Sequence, residues 1–145
     1  PLPTFRRQRQ MCIRDRPDWF APTLVDFVPR ALEAFPKTFV LTEAGDVILV
    51  PTPGHTAGHM SVILREGPLS YFFAGDVSYT EQTLLDLVVD GVSLDRQTAL
   101  KSLKRTRHFV KNTPTVYLPS HDPDSAERLV TNRIALPEEH PALAG

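Results

Sequence analysis

Thr52-Pro53-Gly54-His55-Thr56-Ala57-Gly58-His59 is the stretch whose reading decides the fold. It separates two apolar, β-branched runs, 47–50 before it and 60–64 after it, and so reads as a loop joining two strands. Gly54 and Gly58 are read as letting the backbone of this loop turn tightly. Outward on the N-terminal side, 38–42 pairs with 47–50 through the turn Glu43-Ala44-Gly45-Asp46. On the C-terminal side, 60–64 and 69–74 form a second hairpin around Arg65-Glu66-Gly67-Pro68, which makes a sheet of four strands.

Beyond the sheet the pattern changes period. From an N-cap at Ser93 or Asp95, a helix is expected to about Lys111, with Ala99, Leu103, Thr106 and Val110 as its buried stripe. Lys101, Lys104, Arg105, Arg107, His108 and Lys111 cover the rest of it. Asn112-Thr113-Pro114 stops the helix, 115–118 reads as a short buried strand, and a last helix is expected over 125–134. In 17–36, Trp19, Phe20, Leu24, Val25, Phe27, Val28, Leu32 and Phe35 are apolar enough to pack, yet Pro22 and Pro29 forbid one helix. That segment is expected as short turns laid over the core.

Three polar residues follow strands. His55 comes after the strand ending at Val50, Asp76 after Tyr71-Phe72-Phe73-Ala74-Gly75, and His121 after Val116-Tyr117-Leu118-Pro119-Ser120. Side chains at strand ends converge on one rim, so residues distant in sequence can meet there around a metal. Two imidazoles and a carboxylate suit zinc, iron, manganese or cobalt. Gly75 is read as permitting close approach before Asp76. Singly, each has an ordinary reading: a loop histidine hydrogen-bonds at the surface, and an aspartate after a strand caps a turn. His59 is read as orienting the loop or a ligand through a hydrogen bond. His108 and His140 are read as solvated.

Composition bounds the rest. The 145 residues are 41% hydrophobic and 23% charged with net charge −1, which excludes collagenous, low-complexity and wholly disordered chains. The single Cys12 cannot form an internal disulfide. No apolar run reaches the roughly 18 residues of a membrane span, and residues 1–16 lack the apolar core of a signal peptide. The expectation is a soluble, cytoplasmic protein with no nucleic acid and no membrane as partner. The basic helix is read as a solvated face, because the rest of the chain beyond the prefix is acidic. Residues 1–16 carry five Arg against one Asp, a balance of +4 that leaves −5 for the remainder. Met11-Cys12-Ile13-Arg14-Asp15-Arg16 looks like the translation of a sequencing-library adaptor, so 1–16 is set aside as a basic prefix and 17–145 taken as the domain.

The run 52–59, the later Ala74-Gly75-Asp76 and the final Ser120-His121-Asp122 resemble, in order and approximate spacing, the last three metal-ligand motifs of the metallo-β-lactamase superfamily. The resemblance implies an α/β fold, the αββα sandwich of that superfamily, and two divalent metal ions, zinc first. It makes His55 a terminal ligand of one metal, Asp76 the bridging carboxylate, and His121 a terminal ligand of the other. Asp76-Val77-Ser78-Tyr79-Thr80 is similar to the quorum-quenching N-acyl homoserine lactonases, where a tyrosine three residues after the bridging aspartate contacts the substrate carbonyl. Tyr79 occupies that place, and the His121-Asp122 pair is also similar. The implied activity is hydrolysis of a small-molecule substrate, an acylated lactone or related ester. A thioester hydrolase like glyoxalase II, another hydrolase of the superfamily, a nucleic-acid-binding member and a non-catalytic remnant are the alternatives.

The superfamily's first motif, His-x-His-x-Asp-His, does not occur in this sequence. The chain is therefore expected to be the C-terminal half of the sandwich, a truncated fragment inactive alone, with one sheet face uncovered.

Overall fold

The computed structural model describes residues 23–93 and 95–141. The prefix 1–16, together with Trp19 and Phe20, lies outside the described residues. The fold is mixed α/β with one five-stranded sheet in the order β1-β2-β3-β4-β5. The strands are β1 (Phe39–Val40), β2 (Val47–Pro51), β3 (Met60–Glu66), β4 (Leu69–Gly75) and β5 (Thr115–Pro119). The first four are antiparallel neighbours, and β5 lies parallel to β4. A parallel neighbour needs a long crossover. Here it is built from helices α1 (Glu81–Leu85) and α2 (Arg96–Asn112). Helix α3 (Ser125–Thr131) follows β5.

Strand alternation divides the apolar residues between two faces. On one, Ile48, Val50, Ile63, Phe72, Ala74 and Tyr117 pack against Leu84 of α1 and Ala99, Leu103, Phe109 and Val110 of α2. The expected stripe of α2 is therefore the buried one. On the other face, Tyr71, Val116 and Leu118 pack with Ile134, while Met60 and Phe73 remain 38% and 40% exposed. Among the described residues no helix is long and apolar enough to cross a membrane.

Four expectations need correction. The apolar residues of 23–36 do not pack as a set: Leu24 and Val28 are exposed, and Phe35 is the one fully buried. Isolated bridges, Val28 to Thr38 and Leu32 to Phe35, leave no regular element to hold the others against the core. Helix α3 ends at Thr131, three residues early, because Asn132 adopts a left-handed conformation with φ of 53°. Helix α1 was not anticipated; it is too short for a period, but Thr80 and Thr83 cap each other reciprocally at its start. His140 is not solvated, since its Nε2 lies 3.2 Å from the Val110 carbonyl oxygen.

Candidate metal centre

Strands β2, β4 and β5 run in one direction, so their C-terminal ends share a rim. His55, Asp76 and His121 each follow one of those ends. The structure brings them together around Asp76: Oδ2 lies 3.7 Å from His55 Nε2, and Oδ1 lies 3.2 Å from His121 Nε2. The register between β4 and β5 slips between Phe73 and Gly75, immediately before Asp76 leaves the sheet.

Two glycines have a steric reason and one does not. Gly54 has φ of +150°, and a Cβ there would lie 2.4 Å from the backbone of Ala99. The His55 loop therefore rests directly on α2, where the Ser102 hydroxyl also donates to the Pro53 carbonyl at 2.6 Å. Gly75 has φ of +60°, and a Cβ there would meet His59 Nε2 at 2.8 Å. Gly58 has neither a left-handed φ nor a neighbour within 4 Å of a Cβ, contrary to the tight turn expected of it. The loop turns instead through Thr56, whose carbonyl accepts from the Gly54 and His59 N–H groups.

His59 ties the loop to the aspartate. The Asp76 N–H donates to His59 Nε2 at 3.0 Å, which places the imidazole proton on Nδ1. That N–H faces the Thr52 carbonyl at 3.1 Å and Thr52 Oγ1 at 2.8 Å. The Thr52 hydroxyl continues to Ser61 Oγ and from there to the Ala74 carbonyl, so the chain of donors closes on backbone. Burial holds the His59 pKa below its usual value, against the opposing pull of the Thr52 carbonyl and Asp76. The ring is neutral at neutral pH, as its accepting Nε2 requires.

His55 is held from the other side by Asp90, whose Oδ2 lies 3.1 Å from His55 Nδ1. Burial alone would raise the Asp90 pKa, but hydrogen bonds from Ser93, His55 and Val92 bring it below the usual carboxylate range. The sequence reading missed Asp90; its signal was the Asp90-Gly91 turn, which says nothing of a partner 35 residues away.

Behind His121 stands a buried charge cluster, also unanticipated. Arg128, 2% exposed, bonds Asp122 Oδ2 at 2.6 Å and the Tyr117 carbonyl at 3.0 Å. Asp122 in turn accepts from the Glu81 N–H at 2.8 Å, joining the His121 loop to the first turn of α1. Burial raises the Asp122 pKa, yet the Glu81 N–H and then the guanidinium outweigh it and keep the carboxyl ionised. Tyr79, just before that helix, sets its ring edge-on to His121 at a centroid separation of 4.9 Å.

The chemistry of the donor set fits a bridging carboxylate. Two ligands on one tetrahedral ion with bonds of about 2.0–2.1 Å stand about 3.3 Å apart. The two nitrogen–oxygen pairs at Asp76, 3.2 and 3.7 Å, bracket that separation, and each uses a different oxygen. Among the described residues no three His, Cys, Asp or Glu side chains close around a single point. The arrangement is one imidazole and one carboxylate oxygen for each of two positions.

The family model of the metallo-β-lactamase superfamily matches residues 3–121. A probable metallo-hydrolase of Methanocaldococcus jannaschii is 34% identical over 70 residues, 48% of this chain and 32% of its own length. An N-acyl homoserine lactonase of Bacillus thuringiensis is 34% identical over 85 residues, 54% of this chain and 34% of its own. Among solved structures, an N-acyl homoserine lactone hydrolase with N-hexanoyl-L-homoserine bound at its catalytic metal centre superposes with a TM-score of 0.54 at 28% identity. That superposition covers 67% of this chain and 37% of the other. The chain spans about a third of the length of the curated relatives it matches. With a match that runs through the His55 loop and Asp76 to His121, the chain belongs to the metallo-β-lactamase superfamily.

Proposed function

We propose that this chain carries metal-holding and carbonyl-binding groups of a metal-dependent hydrolase acting on an acylated homoserine lactone. The observation that carries the reading is the pairing of His55 and His121 with separate oxygens of Asp76. Two divalent ions, zinc first, would supply Lewis acidity there, lowering the pKa of water and polarising a carbonyl. His55 and His121 would each present Nε2 to one ion, and Asp76 one oxygen to each. His59 keeps the Asp76 backbone in place. Tyr79 would donate its hydroxyl to the oxyanion that develops on the substrate carbonyl. Partial burial, with the Asp90 and Asp76 carboxylates, holds its pKa above the usual value, so the phenol keeps its proton.

A lactone is favoured over a thioester by Tyr79 and by the lactonases among the relatives. One imidazole and one oxygen per ion fall short of the three protein ligands of a catalytic zinc site. The 145-residue chain by itself is expected to bind zinc weakly and turn over negligibly. Zinc titration of this chain, native and Asp76→Ala, tests the ligand set: weak uptake abolished by the substitution supports it, and uptake unaffected by it refutes it. Micromolar or tighter binding with measurable lactonase activity would overturn the expectation of weakness. A panel of N-hexanoyl homoserine lactone and a glutathione thioester, run on the full gene product containing this sequence, decides the substrate. Thioester cleavage with the lactone untouched would sink the lactonase reading.

A further inference from the structure

His55 and His59 share one loop, yet their rings are held differently. In His59 both nitrogens are committed, Nε2 to the Asp76 N–H and Nδ1 to Thr52. In His55 only Nδ1 is bonded, and Nε2 faces the Asp76 carboxylate 3.7 Å away. The difference lies in Asp90, which sits on the connection between α1 and α2 with its side chain 6% exposed. Its Oδ1 accepts from two backbone donors, Val92 N–H at 3.0 Å and Ser93 N–H at 2.6 Å, and its Oδ2 meets His55 Nδ1. Val89, one residue earlier, is buried in the core and anchors the connection. A carboxylate with both oxygens turned to N–H donors has no proton to give.

We propose that Asp90 is a positioning residue that fixes the His55 imidazole as its Nδ1–H tautomer and keeps the Nε2 lone pair directed at Asp76. Its functional consequence rests on the reading of His55 as a metal ligand. A neutral imidazole has one proton; once Asp90 claims it at Nδ1, Nε2 is bare and available to an ion. The carboxylate also fixes the ring plane and makes the ligating nitrogen more basic. Of the two imidazoles in the loop, His55 alone has a nitrogen to spare.

Asp90→Asn separates this role from mere support. The asparagine is isosteric and retains one oxygen and one NH2. The Val92 and Ser93 N–H groups are fixed donors and hold the oxygen, so the NH2 is turned to His55 Nδ1. Nδ1 then becomes an acceptor and the proton moves to Nε2. Long-range nitrogen–proton NMR of the metal-free 145-residue chain, at a pH where imidazoles are neutral, reads the tautomer directly. The His55 signals are assigned by their loss in His55→Gln. The native chain should show protonated Nδ1 and bare Nε2, Asp90→Asn the reverse, and Asp90→Ala a mixture. Zinc titration of the same samples should show affinity reduced about 10- to 100-fold in Asp90→Asn. Protonated Nδ1 persisting in Asp90→Asn, or zinc affinity unchanged where the native chain binds zinc, would overturn the proposal. A locked tautomer in a native chain whose zinc uptake His55→Gln leaves unchanged would uphold the role of Asp90 while removing the ligand reading of His55.

Discussion

Replacing Gly75 by alanine isolates the contact that joins the His55 loop to Asp76. At φ of +60° a side chain incurs the left-handed penalty, about 1–2 kcal/mol. The new methyl would also stand 2.8 Å from His59 Nε2, well inside van der Waals contact. The ring cannot retreat freely, because Nδ1 is held by Thr52, so the bond from the Asp76 N–H at 3.0 Å must stretch or break. Leaving that donor and the half-buried imidazole unpaired adds about 1–3 kcal/mol. Gly75→Ala should therefore lose about 2–5 kcal/mol, the sum of the two effects. Gly45 supplies the reference, since it has φ of +76° with nothing within 4 Å of a Cβ. Gly45→Ala should lose only the conformational part, about 1–2 kcal/mol. Urea unfolding of both variants, with m-values checked for constancy, gives the difference without any metal in the sample. Equal losses at the two positions would refute the argument that Gly75 exists to admit His59.

The remaining predictions concern the scaffold of the site. Tyr117 is fully buried and burial, the largest effect, pushes its pKa above the ordinary phenol value. Its folded pKa exceeds the unfolded one, so its contribution is complete below about pH 10 and declines as pH rises further, by about 1.4 kcal/mol per unit. Absorbance at an ionised-tyrosine wavelength should rise for Tyr117 only with unfolding, and Tyr117→Phe should remove that late step; ionisation of Tyr117 in the still-folded chain would contradict the burial. Arg128→Met strands the Asp122 carboxylate beside Glu81 and should lose about 3–5 kcal/mol, with much of the loss recovered in Arg128→Met/Asp122→Asn; additive losses in thermal or urea unfolding would show that the two do not act as a pair. Asp95 accepts from the Gln97 and Thr98 N–H groups at 3.0 and 3.1 Å, so Asp95→Ala should destabilise by about 1 kcal/mol, and a neutral result would remove its role as the cap of α2.

The elements legible in the sequence are those whose cause is local. Strands β2 to β5 were readable because apolar runs met turn residues, and α2 because a period of three and four matched its buried side. The order of His55, Asp76 and His121 after three strands was equally plain, and it is the order the superfamily match spans. Helix α1 was hidden because five residues contain no period, and the right end of α3 because a single left-handed Asn132 decides it. Leu24 and Val28 show the converse: an apolar side chain is not by itself enough to bury a residue.

What the sequence determined by itself was the set of chemical groups and the strands that carry them, since propensity, period and turn chemistry act over a few residues. Tertiary structure alone decided which groups meet and with which atoms. The parallel placement of β5 on β4 brings His121 beside Asp76, and the helical crossover brings Asp90 under His55 and the Glu81 N–H against Asp122. Those partners are matched by packing across the sheet and around its rim, where distance along the chain carries no information about distance in space.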